Sequence, residues 1–273
     1  MKKILCFALC LVGALYVSSG FALTAQAGED RYALDFVQGG SLLEIVYRDI
    51  NYETRTNDVY VNPYEAPTFF SAKENGCAVD TGGNALIYYD IKFDDLIPDY
   101  SHKYIWGGFT YGTHNEGINK MFSALYDLMG TDSRGTSVQG FKDGLKKYTS
   151  SKGHTMNITS ATGTYNNINI DFLKTQLKQE KMAAIFLDGF SITPFSGWEE
   201  NDKSDKMTHY IYEGLHVMLV YGYEDVCYYD KSGKLFQKET YLYASTGYVG
   251  ATLGWVNINN YCEVDDIYIL EVV

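Results

Sequence analysis

Cationic charge is scarce in this chain. Its 273 residues carry 22 Lys and Arg against 34 Asp and Glu, a net charge of −12. That balance repels phosphate backbones and anionic lipid, which argues against nucleic acid or a charged membrane surface as a partner. Cysteine is scarce too, with five in all, and their spacing suits neither a disulfide scaffold nor a zinc site. No H-E-x-x-H is present, and the acidic stretch Glu199–Asp205 lacks the residue order of a calcium loop. That stretch reads as a solvated loop, and neither a metal nor another cofactor is expected. Long apolar runs are missing as well. The run from Ile4 to Val17 falls short of the roughly 20 residues a membrane span needs, so no stable membrane insertion is expected.

That same run identifies an address. Lys2 and Lys3 precede it, and Ala25-Gln26-Ala27 follows as an A-x-A cleavage site. Residues 1–27 therefore read as a signal peptide, and the mature chain is expected to be secreted and to begin at Gly28. Cleavage removes two lysines and no acids, taking the net charge from −12 to −14. Cys6 and Cys10 leave with the leader, while Cys77, Cys227 and Cys262 remain. Three cysteines in an exported protein leave at least one thiol free or bridged to another chain. A Cys227–Cys262 bridge and a pair of buried thiols are both open from sequence. No repeat, low-complexity tract or Pro/Ser linker interrupts residues 28–273, which predicts a single domain.

Residues 28–72 alternate apolar and polar positions and predict strands and extended chain, an N-terminal lead-in ending near residue 67. A helix is predicted after Cys77, with Ala78, Ala85 and Tyr89 on one face. Residues 90–113 read as a long connection. The stripe Ile118, Met121, Phe122, Leu125, Leu128 and Met129 predicts a second helix closed by Gly130. Thr136 or Ser137 caps a third, with the stripe Val138, Phe141, Leu145 and Tyr148. A shorter helix at 171–178 leads into a buried strand at 182–187. Strands are then predicted at 215–223, 242–245, 254–258 and 267–272. Helices first and an antiparallel sheet second predict an α+β fold. Twenty-five tyrosines suit a half-buried sheet surface or a groove for extended peptide.

Two positions carry candidate chemistry. Cys77 follows Asn75-Gly76 and opens a helix, where unpaired N–H groups and the macrodipole favour a thiolate. The competing account is a small buried hydrophobe, the usual fate of a free cysteine. A thiol nucleophile needs a base, and histidine is the usual partner. Of His102, His114, His154, His209 and His216, only His216 begins a long apolar strand that would hold its ring in place. Asp80 opposes thiolate formation; the expectation is that the helix start and His216 outweigh it, with Asp80 turned to solvent or to the helix N–H groups.

Asn75-Gly76-Cys77-Ala78 followed by Thr81-Gly82-Gly83-Asn84 resembles the nucleophile helix of secreted bacterial papain-like cysteine peptidases of the C39-like group. Leu215-His216-Val217-Met218-Leu219-Val220-Tyr221-Gly222-Tyr223 resembles that group's histidine strand. Met129-Gly130-Thr131 and the 135–148 segment resemble its helical half, so the likeness spans about residues 68–272. The resemblance implies a papain-like fold with Cys77 on a central helix facing His216 on the sheet. It also implies attack of the thiolate on a peptide carbonyl and an acyl-enzyme. Ser71 stands where the family has its oxyanion-hole glutamine. Ala244 or Ser245 stands where it has the Asn or Asp that orients the histidine, and Ser245 is the candidate for that role. The expected function is a secreted cysteine peptidase or amidase acting on a peptide or protein substrate. The alternative is a catalytically weak or inactive papain-fold module that binds a peptide or surface ligand, and a cell-wall amidase is a third reading.

Overall fold

The computed structural model describes residues 41–49, 53–62, 69, 75–100, 102–104, 110–112, 116–164, 166–194, 206–230, 232–247, 253–260 and 262–273. The leader, Ser71 and the acidic stretch 199–205 lie outside the described residues. Among the described residues there are four helices: α1 (Cys77–Asp90), α2 (Glu116–Met129), α3 (Val138–Ser151) and α4 (Ile170–Leu177). The lead-in forms β1 (Ser41–Asp49) and β2 (Glu53–Val61). The expected long connection contains a two-stranded sheet of β3 (His102–Tyr104) and β4 (Thr110–Gly112). The remaining strands are β5 (Met156–Ser160), β6 (Met182–Pro194), β7 (Lys206–Tyr229), β8 (Leu235–Ser245), β9 (Leu253–Asn257) and β10 (Val264–Val272).

The architecture is mixed helix and antiparallel sheet, as the α+β expectation requires. It is less segregated than the sequence implied, because β1, β2 and β5 join the same eight-stranded sheet as the later strands. The sheet runs β1-β7-β8-β9-β6-β10-β5, and β6 also pairs with β7. Strands β6, β7, β8 and β9 therefore hydrogen-bond in a closed circuit. Alternation decides what each face packs against. Ala183, Ile185 and Leu187 of β6 join Met218, Val220, Leu242 and Val256 in one apolar cluster. The out-of-phase Ala184, Phe186, Val217, Leu219 and Tyr221 join the helices in another. A side-chain period of two explains both sets.

Helix α1 lies inside the second of these clusters. Every residue from Ala78 to Asp90 is buried, so no single apolar face distinguishes it. Its polar side chains are held by named partners. The Asn84 amide accepts from Phe69 N at 2.9 Å and donates to Phe69 O at 2.9 Å. Asp90 accepts from Ile97 N at 2.8 Å, and Tyr89 donates to Leu270 O at 2.6 Å. Gly83 permits the close approach of α2, because a Cβ there would stand 2.2 Å from Phe122 Cε1. Helix α2 buries the predicted stripe except Leu128, which is 36% exposed. Ser137 caps α3, its hydroxyl accepting from Gly140 N at 3.0 Å.

Candidate functional site

Asn75 takes a left-handed conformation at φ 57, which asparagine tolerates better than most residues. Gly76 then hands the chain to α1, with Asp80 N donating to Gly76 O at 2.8 Å. The backbone N–H groups of Cys77, Ala78 and Val79 lie ahead of that first helical bond and have no partner within the helix. One turn on, Thr81 donates to Val217 O at 3.0 Å. The Cys77 sulfur also engages the Val217 backbone. The first turn of α1 is thus docked on the residue that follows His216 in β7. Cys77 and His216 line one cavity of about 270 Å3, together with Asn75, Ser137, Phe186 and Leu187. Leu215, at 65% exposure, stands at its edge.

The His216 ring is 1% exposed. Its Nε2 lies 2.7 Å from the backbone oxygen of Thr246, which is itself buried. A carbonyl oxygen only accepts, so Nε2 must carry a proton. In the neutral ring, Nδ1 is then the nitrogen with the lone pair, the one able to take a proton. Phe190 stacks on the imidazole at 5.2 Å between centroids and 26°. Tyr212 stacks on the other ring of that pair, Phe190, at 5.1 Å and 14°. The orienting group was expected to be the Ser245 side chain. Ser245 is buried in β8 opposite Leu219 and Leu253, and the oxygen found at Nε2 belongs to the next residue's backbone.

The electrostatics of Cys77 overturn the expected balance. Burial pushes its thiol up from an ordinary 9.0 to about 11. Asp80 adds to the rise, while backbone hydrogen bonds at Val217, Ala78 and Cys77 itself recover part of it. Asp80 is 1% exposed, so its charge cannot turn to solvent as the sequence reading supposed. Desolvation disfavours the charged thiolate more than the helix start favours it. Cys77 therefore rests as a neutral thiol. Cys227 and Cys262 are likewise free, so the bridge left open from sequence does not form. Burial pushes the Cys262 thiol up to about 12.

The chain matches no protein-family profile, no curated protein and no solved structure. The assignment of chemistry therefore rests on the residues themselves. A second cavity, of about 310 Å3, lies at the opposite end of α1 and is lined by Tyr88, Lys92, Glu180, Lys181 and Glu271. It holds a Lys181–Glu271 ion pair at 3.1 Å but no cysteine or histidine. The smaller cavity is the one lined by both a cysteine and a histidine. No group of His, Cys, Asp and Glu that could hold a metal occurs among the described residues, and none of their helices is long and apolar enough to cross a membrane.

Sequence inspection missed Thr246, Phe190, Tyr212 and Thr81. Two glycines signalled part of this. Gly189 (φ 87) and Gly214 (φ 95) flank a bulge where the pairing passes from Asp188↔Leu215 to Phe190↔Tyr212. Glycine inside a strand is the usual mark of a bulge, and bulges re-aim side chains beside functional sites.

Proposed function

We propose that the protein is an exported papain-like cysteine peptidase of the C39-like kind, with Cys77 as nucleophile and His216 as general base. The observation that carries this reading is the shared cavity, where the Cys77 sulfur and Thr81 both engage the Val217 backbone while the neighbouring His216 is held with Nδ1 as its basic nitrogen. As the sulfur attacks a peptide carbonyl, Nδ1 takes the thiol proton. The resulting oxyanion is placed at the start of α1, where the N–H groups ahead of the first helical bond can donate to it once the sulfur has left them for the carbonyl carbon. Collapse of the tetrahedral intermediate breaks the C–N bond, and the proton on Nδ1 passes to the leaving amine. Water, deprotonated by the same nitrogen, then hydrolyses the thioester and regenerates the thiol. Thr246 O fills the orienting role that the family gives to a side chain, and it fixes the same tautomer.

The raised thiol favours a second reading, a papain-fold module that binds peptide in this cavity and turns over slowly or not at all. Incubation of the secreted protein with casein and a mixed peptide library separates the two. Peptidase activity predicts slow cleavage that Cys77→Ala and His216→Ala each abolish. Peptide binding that survives in Cys77→Ala, with no cleavage by the wild type, establishes the binding module instead.

A further inference from the structure

We propose that Asn75 is a catalytic residue, its side-chain amide donating to the oxyanion that forms when Cys77 attacks a carbonyl. The proposal rests on the peptidase reading and supplies the donor for which that kind of enzyme uses a glutamine, a place held here by Ser71. Asn75 stands two residues before Cys77 and lines the same cavity as Cys77 and His216. Its Nδ2 carries two N–H groups. One is directed at Ser133 O over 3.4 Å, longer than the about 2.9–3.0 Å usual for such a bond. That contact tethers the amide loosely and does not engage the second N–H. Backbone N–H groups donate from the first turn of α1, and Asn75 donates from the turn before it.

The backbone at this position does not by itself call for an amide. Asn75 sits at φ 57, a conformation that glycine adopts without steric cost and aspartate also tolerates. What asparagine adds is a donor without charge. Asp80 already places a negative charge that raises the Cys77 thiol, and an aspartate at 75 would bring a second carboxylate to the cavity. An amide instead favours negative charge on the attacked oxygen and adds none of its own. That charge exists only after attack, so the donor contributes to the rate rather than to substrate binding. This suits a thiol that rests neutral, because the donor acts at the moment the proton leaves the sulfur.

Two readouts test the donor: cleavage of the mixed peptide library, and capture of a mixed library of N-acetyl tripeptide aldehydes. In capture the Cys77 sulfur adds to the aldehyde carbon, the thiol proton passes to Nδ1 of His216, and the carbonyl oxygen becomes an oxyanion with nothing released. Capture is read as protection of Cys77 from iodoacetamide by peptide mapping. Asn75→Gly is expected to lower kcat by about 10²–10³-fold, the loss on removing one such donor, with KM little changed. It should also need a correspondingly higher aldehyde concentration for half protection. Asn75→Asp, which keeps the shape and replaces the donor by a carboxylate, should do no better, and it gives the same measurement should Asn75→Gly fail to fold. If Asn75 only holds the turn, both variants keep the wild-type kcat. That result, or a raised KM at unchanged kcat, overturns the donor and leaves the peptidase reading standing. A wild type that captures aldehyde but cleaves no peptide removes the peptidase reading. Weaker capture by Asn75→Gly then upholds the donor, and equal capture overturns it. A wild type that neither cleaves nor captures overturns both.

Discussion

The neutral Cys77 thiol makes the pH dependence of alkylation the sharpest test of the site. With the thiol at about 11, about one molecule in a thousand carries a thiolate at pH 8, whereas a thiol at the ordinary 9.0 has about one in ten. The deficit is about a hundredfold. A more basic thiolate is also a better nucleophile, and a Brønsted coefficient of about 0.4–0.5 returns some six- to tenfold over two pH units. Iodoacetamide should therefore alkylate folded Cys77 roughly ten times more slowly at pH 8 than the same residue in the unfolded chain. Because the folded value is raised, the lag should hold through neutral pH and disappear as pH climbs past about 11. Peptide mapping by mass spectrometry separates Cys77 from Cys227 and Cys262. Asp80→Asn removes a neighbouring negative charge and should speed the reaction. His216→Ala should leave resting alkylation slow while abolishing peptide cleavage. Faster alkylation of the folded protein than of the unfolded chain at pH 6 would refute the reasoning, since only a preformed thiolate–imidazolium pair behaves that way.

Two further outcomes test the scaffold. Gly83→Ala places a methyl 2.2 Å from the buried Phe122 ring; overpacking costs about 1–3 kcal/mol, occasionally more, and helix propensity returns about 1. The difference, up to about 2 kcal/mol, is expected as a lower midpoint in urea unfolding, and an unchanged or raised midpoint would show that α2 yields freely. Glu239 is 1% exposed and accepts from Tyr228 and Tyr241 at 2.7 and 2.6 Å and from Gln237 and Asn260 on its other oxygen. Glu239→Ala leaves those buried hydroxyls without their carboxylate, so a loss of about 3 kcal/mol is expected, and a change below about 1 kcal/mol would show that they find other acceptors.

The elements legible in the sequence were those whose period is enforced by burial on one side. The α2 stripe, the Gly130 stop and the Ser137 cap each have a local cause, and each stands where its residues predict. The alternation of Met218 and Val220 against Val217, Leu219 and Tyr221 likewise divides between the two apolar clusters. Helix α1 was less legible because burial on all sides erases the contrast that periodicity reads. The extent of β7 was underestimated for a related reason. Its full span, Lys206–Tyr229, pairs with β1, β2, β6 and β8 in turn. A strand that changes neighbours along its length need not keep one pattern throughout.

The site divides along a different line. Cys77 and His216 have signatures because the proposed chemistry needs their side chains, and the orienting group was sought as a side chain for the same reason. A backbone carbonyl has no signature. Any residue at 246 could present it, so neither Ala244 nor Ser245 could reveal where the acceptor lies. The thiol value was misjudged because sequence places Asp80 three residues from Cys77 without saying that Asp80 is buried or that the sulfur is desolvated. These two omissions bear on one mechanism. Burial and Asp80 destabilise the thiolate, and a carbonyl dipole stabilises an imidazolium less than a full carboxylate charge would. A resting ion pair is disfavoured from both ends. What the geometry retains is a neutral thiol and an imidazole of fixed tautomer lining one cavity, which under the proposed mechanism suits transfer of the proton during attack rather than before it. On the proposed reading, such a site is slow toward simple alkylating agents and depends on a bound carbonyl to draw the proton across.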